Sequence, residues 1–201
     1  MKQVVLASGN AGKLKEFGQC LGVLGIELVP QSQFVTEEVE ETGLSFVENA
    51  ILKARYAAAA SGLPALADDS GLEVDALGGA PGIYSARYAN STLTGQAKDL
   101  ANSELLIARL AHIALPARTA RFQCALVYMR HASDPTPLIC QAAWEGLIMD
   151  SPQGKHGFGY DPIFQVTEEG CRAAQLAPLQ KLAISHRGKA LAKLKRALAE
   201  A

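Results

Sequence analysis

Apolar and polar residues alternate along this chain with periods that change several times, and each change marks an element. Residues 2–7 carry the run Val4-Val5-Leu6-Ala7 and predict a first strand, with Ser8-Gly9-Asn10 as the turn after it. From about 11 to 24 the period becomes helical, with Leu14, Phe17, Leu21 and Leu24 on one face. Gly25 ends that helix, and residues 26–29, closed by Pro30, read as a second strand. Ser45 and Glu48 form a capping box for a helix running to about residue 61, with Gly62 as its stop and Pro64 beyond. Residues 64–67 are a third strand, 77–82 a glycine-rich loop, and 96 to about 111 a further helix. Phe122, Cys124, Leu126 and Tyr128 then alternate with their neighbours over 120–130, and after a Ser-Asp-Pro-Thr-Pro turn the chain returns over 138–144 as an antiparallel hairpin. A glycine-rich loop follows at 153–161, and Gly188 precedes a closing helix. This order predicts a mixed α/β fold, one domain over residues 1–201 with a mixed sheet.

Composition narrows the class. With 201 residues and a 49% apolar fraction, the chain can bury one substantial core, and 19% charged residues suit a soluble protein. A net charge of −1 speaks against broad electrostatic binding to nucleic acid, so phosphate recognition must come from a few local lysines and backbone amides. The first apolar run is too short for a signal peptide, and no stretch approaches the roughly 18 apolar residues that span a membrane. Cys20, Cys124, Cys140 and Cys171 are scattered, which predicts reduced thiols and a cytoplasmic location rather than a zinc site. His112, His131, His156 and His186 lack metal-ligand spacing, leaving Mg²⁺ on carboxylates as the open metal option.

Six segments carry candidate chemistry, most with a plainer alternative. Asp68-Asp69-Ser70-Gly71 follows a short apolar run: paired acids at a strand end can meet a cation, or the four residues are a solvated turn. Ser8-Gly9-Asn10-Ala11-Gly12-Lys13 joins a strand to a helix, where free amides and Lys13 can cradle a phosphate or merely cap the helix. It is not a Walker A loop, because Ala7 replaces the first glycine and Leu14 the Ser/Thr. Lys53 shares a helix face with Asn49, and an acid from 37–41 could complete a Mg²⁺ shell begun by Asp69; both sets also read as ordinary surface. Phe158 and Tyr160, between Gly157 and Gly159 and followed by Asp161, can serve a nucleobase or pack on the core. Ser185-His186-Arg187-Gly188 reads as a turn presenting two strong donors.

Taken in order, these segments resemble one known arrangement. Besides Ser8 to Lys13 they include Glu41-Thr42-Gly43, Glu48-Asn49-Ala50-Ile51-Leu52-Lys53-Ala54 and Ala67-Asp68-Asp69-Ser70-Gly71-Leu72. Leu77-Gly78-Gly79-Ala80-Pro81-Gly82-Ile83-Tyr84-Ser85-Ala86-Arg87, Gly157-Phe158-Gly159-Tyr160-Asp161-Pro162-Ile163-Phe164 and Ile184-Ser185-His186-Arg187-Gly188 complete the set. The chain closely resembles the inosine/xanthosine triphosphate pyrophosphatase family, the deaminated-purine nucleoside triphosphate pyrophosphatases of the bacterial dITP/XTP type. No motif position departs from the family pattern; Ser8 stands where many members have Thr and keeps the hydroxyl.

The resemblance implies an elongated mixed α/β fold of two lobes around a central substrate cleft, usually homodimeric. It implies Mg²⁺-dependent hydrolysis of ITP, dITP and XTP to the monophosphate and pyrophosphate, which clears deaminated purines from the nucleotide pool. Ser8, Gly9, Asn10, Ala11, Gly12 and Lys13, with Lys53, would hold the triphosphate. Glu41 and Asp69 would serve the metal, and Asp69 would take the proton of the attacking water. Ser70, Phe158, Gly159, Tyr160, Asp161, Lys181, His186 and Arg187 would line the nucleoside side. Such hydrolysis needs positioned water, a base and charge neutralisation rather than a covalent nucleophile.

Overall fold

A computed structural model describes residues 2–200. Seven strands form one open mixed sheet: β1 (Lys2–Leu6), β2 (Ile26–Pro30), β3 (Ala65–Val74), β4 (Pro81–Gly82), β5 (Thr119–Met129), β6 (Leu138–Ile148) and β7 (Phe164–Val166). Among the described residues five α-helices accompany them: α1 (Ala11–Gly22), α2 (Phe46–Ser61), α3 (Gly95–Arg109), α4 (Pro178–Ile184) and α5 (His186–Glu200). The strand order is β2-β1-β3-β5-β6-β7, with β4 on β3. β1 runs parallel to both β2 and β3, whereas β3–β4 and β6–β7 are antiparallel, so the mixed α/β class predicted from the sequence is the one observed. Among the described residues no helix is long and apolar enough to cross a membrane.

The chain forms two compact units, one of residues 1–69, 124–142 and 189–201, the other of 70–123 and 143–188. The first unit has a core of small side chains. Ala50, Ala54, Ala57 and Ala58 on one face of α2 join Val5, Ala7, Ala65, Ala67, Ala125, Val127 and Met129. Alanine on that face brings a helix close to its neighbours at little cost in side-chain entropy. Ser45 caps α2 as expected: its Oγ accepts the Glu48 N–H at 3.3 Å, while Glu48 Oε2 accepts the Leu44 N–H at 2.9 Å. Gly62, at φ 68°, closes the helix in the left-handed region that favours glycine.

The second unit is built on aromatics. Phe122, Trp144 and Phe164 pack with Leu72, Leu106, Leu110, Ile148 and Ile163, and the Phe122 and Phe164 rings are tilted at 4.6 Å between centroids.

Several boundaries differ from the sequence reading. β3 does not stop at residue 67 but runs through Asp68, Asp69, Ser70 and Gly71 to Val74. Sheet partners on both halves explain this, since Ala65 and Leu66 pair with β1 while Leu72 and Glu73 pair with β4. The solvated-turn alternative for the acid pair is therefore excluded. Likewise residues 185–188 are not a turn. Ser185 closes α4, and His186, Arg187 and Gly188 form the first turn of α5, with Ser185 Oγ accepting the Gly188 N–H at 3.3 Å.

Candidate active site

The acid pair splits across the sheet. Successive strand side chains point to opposite faces, so Asp68 and Asp69 meet different partners. Asp68, 2% exposed, pairs with Lys13 at 2.9 Å to Oδ1 and 2.8 Å to Oδ2. Asp69 meets α2: its Oδ1 takes Lys53 Nζ at 2.8 Å, and Asn49 Nδ2 lies 3.5 Å from its Oδ2. The same ammonium reaches Glu41 Oε1 at 2.9 Å. Each acid of the strand thus has its own lysine.

Glycine spacing delivers Glu41 to this point. A Cβ on Gly43 would lie 2.6 Å from Glu48 Cβ and 2.7 Å from Asn49 Oδ1, so only glycine lets the segment lie against the start of α2. The Gly43 N–H also donates to Asn49 Oδ1 at 2.8 Å. Asn49 is fully buried and holds the segment and the acid from one side chain.

Ser8 to Lys13 sit where the sequence put them, between β1 and α1. Asn10 caps the helix, its Oδ1 accepting the Gly12 and Lys13 N–H groups at 2.8 and 3.2 Å, and Ser8 Oγ accepts the Asn10 N–H at 3.2 Å. Ala11 opens α1; its side chain lies outside the described residues. Gly9, with only Glu38 Oε1 at 3.6 Å from a notional Cβ, leaves the backbone approachable. Helix start and Lys13 together favour an anion here.

Charge at Asp69 is shaped mainly by burial, which pushes its carboxyl above the ordinary aspartate range; Glu41 and Asp68 push the same way and Lys53 opposes them. A raised carboxyl is the better proton acceptor near neutral pH. For Lys53, burial acts to lower the ammonium, but Asp69 and Glu41 outweigh it and the net shift is upward. A single cation coordinated by both carboxylates is what the Lys53 ammonium displays, so the donor set fits a divalent metal in the same neighbourhood. Among the described residues no three His, Cys, Asp or Glu side chains gather into a cage. Two carboxylates completed by substrate oxygens and water is a hard-cation pattern.

The second unit carries the other predicted residues. Gly157 has φ 79°, and a Cβ there would fall 2.0 Å from Asp161 Oδ2. Asp161, 2% exposed, accepts the Phe158 N–H at 2.8 Å and pairs with Lys181 of α4. Phe158 is 57% exposed, with Lys181 Nζ 5.4 Å and Arg187 Cζ 5.6 Å from its ring centroid. Cations at that range are attracted to the ring quadrupole. Tyr160 behaves differently: it lies in the aromatic core and its hydroxyl donates to Ser85 O at 2.8 Å. Burial raises the Tyr160 phenol well above its usual range. His186, buried, stacks on Phe122 at 4.9 Å. Gly188 explains why α5 can begin there, since a Cβ would lie 1.5 Å from Leu182 O of α4. Ser70, half-buried, follows Asp69 in β3 as the first residue of the second unit.

Sequence reasoning missed Asp99. This half-buried α3 carboxylate accepts the Gly159 N–H at 2.7 Å, and no local pattern links residues 60 apart. It also left Asp68 without a role, where the structure gives it Lys13.

An open mixed sheet bearing a strand-borne acid pair matched by two lysines, with a glycine-rich aromatic loop, defines a nucleotide-phosphate hydrolase class of α/β protein. The Ham1 family profile matches residues 4–197, and the chain belongs to that family. It is 58% identical over 200 residues to the dITP/XTP pyrophosphatase of Shewanella oneidensis, covering 100% of this chain and 95% of that protein. To the dITP/XTP pyrophosphatase of Vibrio cholerae it is 54% identical over 200 residues, covering 100% and 98%. A solved Ham1 protein from Coxiella burnetii superposes with a TM-score of 0.94 at 48% identity, covering the whole of both chains. The resemblance in the motifs is thus borne out over the full length.

Proposed function

We propose that this chain hydrolyses deaminated purine nucleoside triphosphates (dITP, ITP and XTP) at the α–β phosphoanhydride. The products are the nucleoside monophosphate and pyrophosphate, and the result is removal of these nucleotides before they enter DNA or RNA. The observation that carries the reading is the Lys53 ammonium shared by Glu41 and Asp69 beside the Lys13–Asp68 pair. Relatives sharing over half of the sequence bear the name dITP/XTP pyrophosphatase, which supports the same substrate class here.

In this reading the Ser8 to Lys13 segment and Lys53 take the triphosphate, while Glu41 and Asp69 hold Mg²⁺. When bound, the metal supplies charge neutralisation and a lowered water pKa. Asp69 accepts the proton of the attacking water. Ser70, Phe158, Gly159, Tyr160, Asp161, Lys181, His186 and Arg187 serve the nucleoside, with Phe158 as stacking platform and Tyr160 as the loop's anchor. Hypoxanthine and xanthine present a 6-oxo acceptor where adenine presents a 6-amino donor. Arg187 is a donor only, so it matches a 6-oxo acceptor and not a 6-amino donor. Residues 1–201 act as one functional domain, cytoplasmic on the strength of four free thiols and homodimeric by family resemblance.

Incubation with dITP and Mg²⁺ should release pyrophosphate and dIMP, with dATP turned over far more slowly. Orthophosphate in place of pyrophosphate, or equal rates on dATP, would overturn the assignment. Arg187→Ala should lower kcat/KM for dITP much more than for dATP.

A further inference from the structure

The aromatic loop is held by two carboxylates of different origin. Asp161 belongs to the loop, so its 2.8 Å bond from the Phe158 N–H fixes internal shape without fixing position. Asp99 comes from α3 and takes the next amide, Gly159 N–H, at 2.7 Å. The consecutive amides that flank the Phe158 Cα thus go to separate acceptors. Bonds from amides to ionised acceptors are about twice as strong as neutral ones.

α3 itself is firmly seated. Leu106 is fully buried in the aromatic core, and Asn102, 3% exposed, lies three residues from Asp99 and so on the same helix face. Asn102 Oδ1 accepts the Ala89 N–H at 2.8 Å, and its Nδ2 reaches Ser85 O and Ala86 O at 3.4 Å. Tyr160 Oη donates to the same Ser85 carbonyl at 2.8 Å. One helix face therefore anchors the two residues that follow Phe158: Gly159 directly, and Tyr160 through Ser85.

We infer that Asp99 is a positioning residue for base selection: its carboxylate holds the Gly159 amide, and thereby sets the exposed Phe158 ring beside Lys181 and Arg187 before substrate arrives. This rests on the reading that the loop takes the base. A preset platform spares binding the cost of ordering the loop, which otherwise appears as weaker affinity and looser discrimination.

The test compares Asp99→Ala with Asp99→Asn, measuring kcat and KM on dITP and dATP. Asp99→Ala is expected to lower kcat/KM for dITP about tenfold, mostly through KM, with dATP changed less than about threefold. Asp99→Asn keeps an acceptor oxygen and should return dITP to within about threefold of wild type. The dITP-to-dATP ratio is the decisive readout, because any loss of folded enzyme cancels from it. An unchanged ratio in Asp99→Ala, or an Asn variant as impaired as Ala, overturns the inference. Phe158→Ala separates the two levels. If it leaves the ratio intact, the loop does not read the base and the underlying reading falls. If it narrows the ratio while Asp99→Ala does not, only the role of Asp99 falls.

Discussion

Replacing Lys53 by Met should have two opposite effects, and together they test the reading of the acid cluster. Methionine keeps the apolar stem and its packing but removes the ammonium that Glu41 and Asp69 share at 2.9 and 2.8 Å. The three side chains are only 17%, 28% and 13% exposed, so solvent does little to replace the lost cation. Breaking a largely buried pair from one side costs about 3–5 kcal/mol, and residual exposure of Glu41 argues for the lower end, about 3 kcal/mol. In a chain of this size that corresponds to a fall in Tm of roughly 6–12 °C without metal. The vacated cation position then favours a divalent ion, and Mg²⁺ or Mn²⁺ at about 100 times its Kd would return about 2.7 kcal/mol. Thermal unfolding with and without Mg²⁺, and calorimetric titration of Mn²⁺ without nucleotide, read both effects. A variant as stable as wild type without metal, or one whose Tm rises no more with Mg²⁺ than wild type does, would refute the reasoning. Turnover of dITP should fall even when Mg²⁺ restores the fold, because the phosphates lose the same ammonium.

Three further outcomes follow from other parts of the molecule. Asp69→Asn is near-isosteric and should retain nucleotide while kcat drops about 10²–10⁴-fold, the usual worth of a general base; wild-type kcat in the purified variant would exclude that role. Gly146→Ala places a Cβ 2.4 Å from Gln165 O and 2.5 Å from the Phe164 ring. It should destabilise by about 1–3 kcal/mol or more, read by the urea midpoint of Trp144 fluorescence. Asp134, clamped by Arg130 Nε at 2.9 Å and by the Thr136 N–H at 3.1 Å, has its carboxyl held far below the usual range by the Arg130 side chain. Its contribution is therefore present above the unfolded aspartate value near pH 4 and is lost as pH falls toward the lower folded value. Asp134→Asn should shrink the stability difference between pH 7 and pH 3, and an unchanged difference would contradict the clamp.

Local chemistry made α1, α2 and the β5–β6 hairpin legible, because cap, period and stop residues agree there. It could not decide the acid pair, since Asp-Asp-Ser-Gly has turn composition and only the pairing of Leu66 with β1 and Leu72 with β4 makes it strand. Short elements escaped for a related reason. α4 has seven residues, too few to hold a helix by propensity alone. β7 has three and owes its conformation to β6. At the site, residue types pointed to phosphate and base chemistry, but which lysine meets which acid depends on the pleat of β3. Tyr160 and Phe158 look equivalent in the sequence, yet one is core and the other exposed. Asp99 had no signature at all, because its partner is an amide brought close only by the folded chain.

The division of the chain between its two units bears on how it can be made. Each unit draws on separated stretches, and the first includes residues 189–201, whose Ala190, Leu191 and Leu194 are almost wholly buried. A ribosome adding about 5–20 residues per second needs roughly 6–24 s to pass from residue 69 to residue 189. Throughout that interval β1, α1 and α2 exist without the helix that completes their unit, whereas the second unit has all its residues by 188. The part with the lysine–acid pairs therefore matures last, although it is begun first. Neither unit can be excised as a single gene fragment, and a premature stop after residue 188 would remove most of α5, which the first unit needs to complete its core.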